Sequence, residues 1–568
     1  MASTFFSPGT IIASTWLNDV NTVVYNRAIN YTSPQEYGAG GDGVSDDTTA
    51  LQTMLAAQLN IDWGGADKSY LISGALQLRT GHYLAAHGAT ITQSAANTET
   101  FNGVAQSNIT ILGFNGVGKT TDYIESDSSR AVFFYGETSG SNNYVNFNTL
   151  TGYSYTAVRF KANTDSGASY NKIVGPGTPI LTPITSGKNY GVLADANCDG
   201  ILFMGNTISN TAQGVRIETS KRVRTSSNSI YGIVGQHGVY AGSGLEDIII
   251  DGNTINTTAL NGIKVQAFDA ALADNKRISI VGNSVYNAGD QGIIVYNATG
   301  AAATYKVRGV TITGNTIDTT ASQSIYLGNI VGGVVSGNTC NLAGQSGIAM
   351  TANTALRVTN NTISNSVLTA IRDISANTNT TVENNTIYNC ASAATVGDRF
   401  GVFISFGTNI YINNNTISDD NAKMEYGVYV SGGTQTTFGV RGNTVLNATG
   451  TGARFIAATS MLYYKDNNWT GTGGAVTNEP IPPTVASAAT ITLPQGWDTY
   501  YISGTTDITS ITPAGHSGSS KRLIFLGALT FTNGSNLKLV SNFVTTANDQ
   551  ITLSGDGTNF YEQGRAVL

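Results

Sequence analysis

The sequence predicts an all-β fold: a right-handed parallel β-helix, with a helical cap at its N-terminal end and a β-sandwich-like domain at its C-terminal end. Three observations predict it. A four-residue phrase recurs at regular intervals, and apolar residues alternate with period two between its copies. No stretch between the copies carries the 3.6-residue period of an amphipathic helix.

The phrase reads GNTI at 205–208, SNSI at 227–230, GNTI at 252–255, GNSV at 282–285 and GNTI at 314–317. It continues as GNTC at 337–340, NNTI at 360–363, 384–387 and 414–417, and GNTV at 442–445. Its Asn recurs every 22 to 32 residues, a length suited to one coil of a strand solenoid. A tight turn between strands needs a left-handed residue, and Gly and Asn adopt that conformation at least cost. Stacked Asn side chains can also hydrogen-bond to their equivalents on the neighbouring coils. The turn accounts for these Asn residues without glycosylation, although the three NNTI copies match N-x-[ST] at Asn360, Asn384 and Asn414.

A second phrase accompanies the first: a Gly followed by alternating apolar positions, as in GVRIE (214–218), GIKVQ (262–266), GIIVY (292–296) and GVFIS (401–405). Period two turns Val215, Ile217, Ile263, Val265, Ile293 and Val295 inward. It turns Arg216, Tyr240, Lys264, Ile294, Tyr326, Arg372, Phe403 and Tyr429 outward in one column, spaced by about 4.8 Å per coil.

Before the repeats, YGAGGDGVSDDTTALQ (37–52) leads into an apolar-faced helix expected over 48–58, with Asp46 or Asp47 as its cap. Such a helix plugs the open end of a solenoid and blocks end-to-end strand pairing. This stretch resembles the opening motif of the pectate-lyase-like β-helix superfamily, bacteriophage tailspikes and depolymerases in particular. Its acids, Asp42 included, read as structural. SPGTIIASTWLNDVN (7–21) resembles the short segment with which phage tail proteins attach to the virion, with Trp16 and Leu17 as its anchors.

The repeat ends after Trp469, and EPIPP (479–483) marks a linker. Short strand-like runs at 489–493, 522–526, 537–540 and 550–553 then suggest an antiparallel sandwich. The expected organisation is an attachment segment (1–30), the cap and first coils (31–100), the β-helix (101–477) and a C-terminal β-domain (478–568). The tailspike resemblance implies that this last domain trimerises the chain or binds glycan.

Composition narrows the chemistry. Only 11% of residues are charged, the net charge is −7 and no basic run occurs, so neither nucleic acid nor an anionic membrane is an expected partner. No apolar run reaches the ~20 residues that span a bilayer. Residues 1–30 lack a basic start before an apolar core, so no secretory signal is expected. Cys198, Cys340 and Cys390 lie far apart without metal-ligand spacing, and read as buried thiols; no metal or cofactor is expected.

A long groove of aromatics and carboxylates suits sugar. Rings stack on pyranose faces, and paired carboxyl groups supply an acid and a base or nucleophile. Asp398 lies three residues before Gly401 and Glu425 two before Gly427 on the next coil, an arrangement that puts them about 5–6 Å apart if both strands continue. They are the expected catalytic pair, with Asp373 as a further catalytic carboxylate and Arg372 and Arg399 flanking them. Tyr240, Lys264, Tyr296, Tyr326, Phe403 and Tyr429 join the two arginines as expected glycan contacts. A rival patch of Lys264, Asp269, Asp290 and Tyr296 with His237 and Tyr240 suits β-elimination on a uronic acid instead. The same aromatic column equally suits a subunit interface or a spike that binds without cleaving. The tailspike resemblance implies a homotrimer in the virion, joined to tail or adaptor proteins through its N-terminus and acting on a bacterial surface polysaccharide.

Overall fold

The computed structural model describes residues 31–119, 132–176, 189–268, 274–298, 307–392, 398–431, 438–455, 461–469, 482–495, 497–513 and 516–567. The expected attachment segment, with Trp16 and Leu17, lies outside them. The chain divides into two compact units, residues 1–265 with 271–279, and residues 266–270 with 280–568.

Each unit is built from coils of three strands, and each strand pairs in parallel with its equivalent on the next coil. In the first unit Thr207–Ser209, Gln213–Ile217 and Arg224–Ser226 make one coil; Ser229–Ile233 then pairs with Thr207–Ser209. In the second unit Thr386–Tyr388, Phe400–Ile404 and Gly407–Asn413 make one coil and pair forward in the same way. This is the right-handed parallel β-helix expected from the repeat. The sheet containing the Gly-apolar phrase is called the platform sheet below.

The inward positions of the platform sheet hold the core. Val215, Ile217, Ile263, Val265, Ile293 and Val295 are all fully buried, as period two requires.

The recurring phrase divides two tasks between its first two residues. The first takes the left-handed turn: Gly205 at φ 65°, Gly314 at 63°, Asn360 at 56°, Asn384 at 55° and Asn414 at 53°. The second is the ladder. In the second unit, the Nδ2 of Asn338, Asn361, Asn385 and Asn415 each donates to the Oδ1 of the next ladder Asn at 2.9–3.0 Å. Asn338, Asn361 and Asn385 also use Nδ2 to reach a carbonyl on the preceding coil, and their backbone N–H bonds the same Oδ1. Asn171, Asn206 and Asn228 do likewise in the first unit. Because the ladder is buried, an amide without partners there would cost about 1–3 kcal/mol.

The cap helix spans Thr48–Ala57 and buries Leu51, Met54 and Leu55. Asp46 accepts the Thr48 N–H, Asp47 the N–H groups of Gly40 and Gly41, and Asp42 those of Val44 and Ser45. These acids therefore secure backbone turns.

The C-terminal module is all-β, but its pairing is mixed. Thr484–Ala486, Thr499–Ser503 and Ser520–Phe525 run parallel, and only from there do Gln550–Gly555 and Phe560–Ala566 continue antiparallel. The antiparallel expectation came from strand length and turn residues, which do not encode strand direction. Tyr500, Leu523, Phe525, Phe531, Ile551 and Leu553 form a core separate from that of the coils.

Candidate functional site

Outward residues of the platform sheet stand in strict register. In the first unit the order is Tyr135, Arg159, Leu193, Arg216, Tyr240, Lys264. In the second it is Ile294, Tyr326, Ala349, Arg372, Phe403, Tyr429, Arg454. The alternation seen in the sequence thus orders both columns. It had not identified Arg454, because its phrase, TGARF, has Ala453 where other copies carry a branched residue.

The first-unit column is filled, and both of its arginines are paired with carboxylates. The Arg159 guanidinium lies 5.3 Å from the ring centres of Tyr135 and Tyr155, and that of Arg216 lies 4.9 Å from those of Tyr190 and Tyr240. Asp195 pairs with Arg159 at 2.6 Å, and Glu218 pairs with Arg216. Tyr240 is only 7% exposed, with Lys264 over its ring and His237 stacked 5.6 Å away. Burial, with Lys264 and Arg216 nearby, pushes the His237 imidazole down to about 3. Asp269, one of the two acids of the rival patch, lies outside the described residues.

The second-unit column is the more open one. Phe403 and Tyr429 are half-buried neighbours with ring centres 5.3 Å apart. Phe400 and Tyr426 complete a four-ring cluster, Phe400 lying 4.6 Å from Tyr429 and Tyr426 lying 5.5 Å from it. Cations close both ends. The Arg372 guanidinium is 5.8 Å from the Phe403 ring centre, and that of Arg454 is 5.3 and 5.5 Å from those of Tyr426 and Tyr429. Further along, Tyr326 bonds Thr351 Oγ1 at 3.3 Å. Gly328 lies against Tyr296 and Tyr326: a Cβ there would meet both within 3.2 Å. Burial raises the Tyr296 phenol.

The candidate carboxylates take different places. Asp398 forms an ion pair at 3.2 Å with Arg372, one coil before its own, and is 39% exposed in its side chain. The Glu425 N–H donates to the Arg399 carbonyl at 2.8 Å, so Glu425 lies in register with Arg399 rather than with Asp398. Its Cγ is 3.5 Å from where a Gly450 Cβ would stand, one coil after its own. Both side chains are partly exposed at the mouth of their strands.

Asp373 departs from the expectation. Alternation from Ile371 turns it into the core, where it is fully buried. There Asn353 and Asn377 begin a second ladder, and the next coil offers Gly407 opposite Asn377. Without a further Asn to receive it, the Asn377 Nδ2 donates to Asp373 Oδ1 at 2.5 Å. Asp373 thus terminates a ladder on the far side of the sheet from the rings, and burial pushes its carboxyl up to about 7. Among the described residues, no group of His, Cys, Asp and Glu has the arrangement of a metal site.

Residues 300–470, which hold this cluster, match the sequence family described as the right handed beta helix region. This stretch is a right-handed β-helix by sequence and by structure. No curated protein matches the sequence. Among solved structures, similarity extends to a mutant tailspike protein of E. coli bacteriophage HK620 in complex with a pentasaccharide. It is 12% identical, covers 96% of this chain and 92% of that one, and has a TM-score of 0.47. The Dettilon tailspike protein is 14% identical over 94% of this chain and 78% of its own, with a TM-score of 0.41. The A-module of an Azotobacter vinelandii mannuronan C-5 epimerase is 15% identical over 78% and 99%, with a TM-score of 0.36.

Proposed function

We propose that the protein is a bacteriophage tailspike that binds a bacterial surface polysaccharide and depolymerises it by glycosidic hydrolysis. One observation carries the reading: a half-buried row of rings, Phe403 and Tyr429 between Arg372 and Arg454, with Asp398 and Glu425 at its border. Ring faces at strand spacing accept successive sugar residues of an extended glycan. The two carboxylates share the acid and nucleophile roles, and Arg372 orients Asp398. The virion placement is supported by the resemblance of the 7–21 and 37–52 stretches to phage tail proteins.

The same reading assigns a homotrimer. The C-terminal module leaves Val540, Val544 and Tyr561 exposed at 85%, 72% and 41%, apolar surface of the kind that closed symmetric assembly covers. Light scattering should report about three times the 59.3 kDa chain; a monomer at micromolar concentration refutes this part.

The catalytic test uses Asp398→Asn and Glu425→Gln. Each should preserve melting temperature, since near-isosteric changes at exposed sites usually shift stability by no more than about 0.5 kcal/mol. Each should lower release of glycan fragments by about a hundredfold or more while adsorption to the host persists. Normal cleavage by both variants removes the pair from the mechanism. Products with the ultraviolet absorbance of an unsaturated sugar move the reaction to β-elimination. Adsorption without fragments from wild type leaves a spike that only binds.

A further inference from the structure

Of Arg372, Arg399 and Arg454, two lack the carboxylate partner that Arg159 and Arg216 have among the described residues. In the first unit Arg159 has Asp195 and Arg216 has Glu218. In the second, Arg372 has Asp398, whereas neither Arg399 nor Arg454 has an ion pair among the described residues. Arg454 Nη1 instead donates to the hydroxyl of Tyr426 at 3.0 Å. The Nε atoms of Arg372, Arg399 and Arg454 are all shielded from solvent and without a hydrogen-bond partner. Two of the three guanidinium groups thus lack a carboxylate partner among the described residues, and all three have an Nε without a hydrogen-bond partner.

We infer that this platform selects an acidic polysaccharide, one whose repeating unit carries a carboxylate. The inference rests on the glycan-binding reading above and narrows it. A guanidinium offers donors in a planar fork that matches a carboxylate, and such charge-assisted pairs are stronger than neutral hydrogen bonds. Arg372 and Arg454 stand three coils apart in one column, a span of about 14 Å at 4.8 Å per coil. An extended glycan lying along the column, with its sugars over Phe403 and Tyr429, reaches a cation at either end. The protein's net charge of −7 disfavours polyanions at long range. Recognition therefore depends on these close contacts.

The test is affinity electrophoresis of the full chain through gels holding the surface polysaccharide of each bacterium to which it adsorbs. Each glycan is used as extracted and after carbodiimide–borohydride reduction of its carboxylates to alcohols. Retention should weaken by about tenfold or more on reduction of the glycan, and comparably on Arg454→Gln or Arg399→Gln against the native one. The reduction arm needs no variant to fold. Adsorption to a glycan without carboxylates, or retention unchanged by reduction, overturns the inference and leaves the tailspike reading standing. Adsorption to no bacterium at all overturns both.

Discussion

Asp373 shows how one side chain can carry a pH dependence for the whole coil. Its carboxyl is raised from an ordinary 3.8 to about 7, by burial first of all, against the opposing bond from Asn377. In the unfolded chain it ionises near 4, so folding must hold a proton on it between about pH 4 and 7. Stability contributed by the protonated form is therefore present below pH 4 and is lost as the pH rises to 7. Above that the cost levels off at about 4 kcal/mol, by the conversion of 1.36 kcal/mol per pH unit. Asp373→Asn keeps an acceptor for the Asn377 amide and removes the ionisable group. The variant should melt near wild type at pH 4 and clearly above it at pH 8. A difference in melting temperature that does not change with pH argues that the carboxyl is not held neutral.

At the scale of the coil, NNTI offers a paired test of the two Asn roles. Asn361 is buried; its amide bonds Val335, Thr359 and Asn385, and its Oδ1 receives both the N–H and the side chain of Asn338. Asn361→Ala strands these groups and should cost about 3 kcal/mol. Its neighbour Asn360 is exposed and serves the turn, at φ 56°. Asn360→Gly should change stability by no more than about 0.5 kcal/mol, because Gly takes the same backbone without strain. Thermal melts of the two variants side by side check the division of labour; equal losses contradict it. In the NNTI copies the Asn that fits N-x-[ST] is the turn residue, which its left-handed backbone already accounts for.

For the molecule as a whole, the cysteines give a simple readout of integrity. Cys198, Cys340 and Cys390 are free and fully buried. Burial pushes their thiols up to about 12, 12 and 11 respectively, so each lacks the thiolate that reacts. A thiol reagent at pH 8 should label none of the three in the native protein and all three after denaturation. Fast labelling of any one under native conditions would mean that its coil opens, and a disulfide found by mass mapping would contradict the assignment outright.

Periodicity alone determined the architecture. A residue's face in a strand depends only on whether its place is odd or even, and a solenoid repeats that rule coil after coil. Hence GVRIE and GVFIS sufficed to align Arg216 with Tyr240 and Arg372 with Phe403 and Tyr429. The cap helix and its structural acids were legible for a related reason, because their partners lie nearby in sequence. What only the tertiary structure decided lies where strands bend or where neighbours in space are distant in sequence. Strand direction in the C-terminal module is one case, since direction is set by pairing across the sheet. The role of Asp373 is another: alternation around Ile371 already turns it inward, but its purpose depended on Gly407, 34 residues on, failing to continue a ladder. The charge state of the candidate site is the last. That Arg159 is matched by Asp195, 36 residues on, while Arg399 and Arg454 have no carboxylate partner among the described residues follows from which segments the coils bring together; only the Arg216–Glu218 pair, two residues apart, lay within the reach of the sequence.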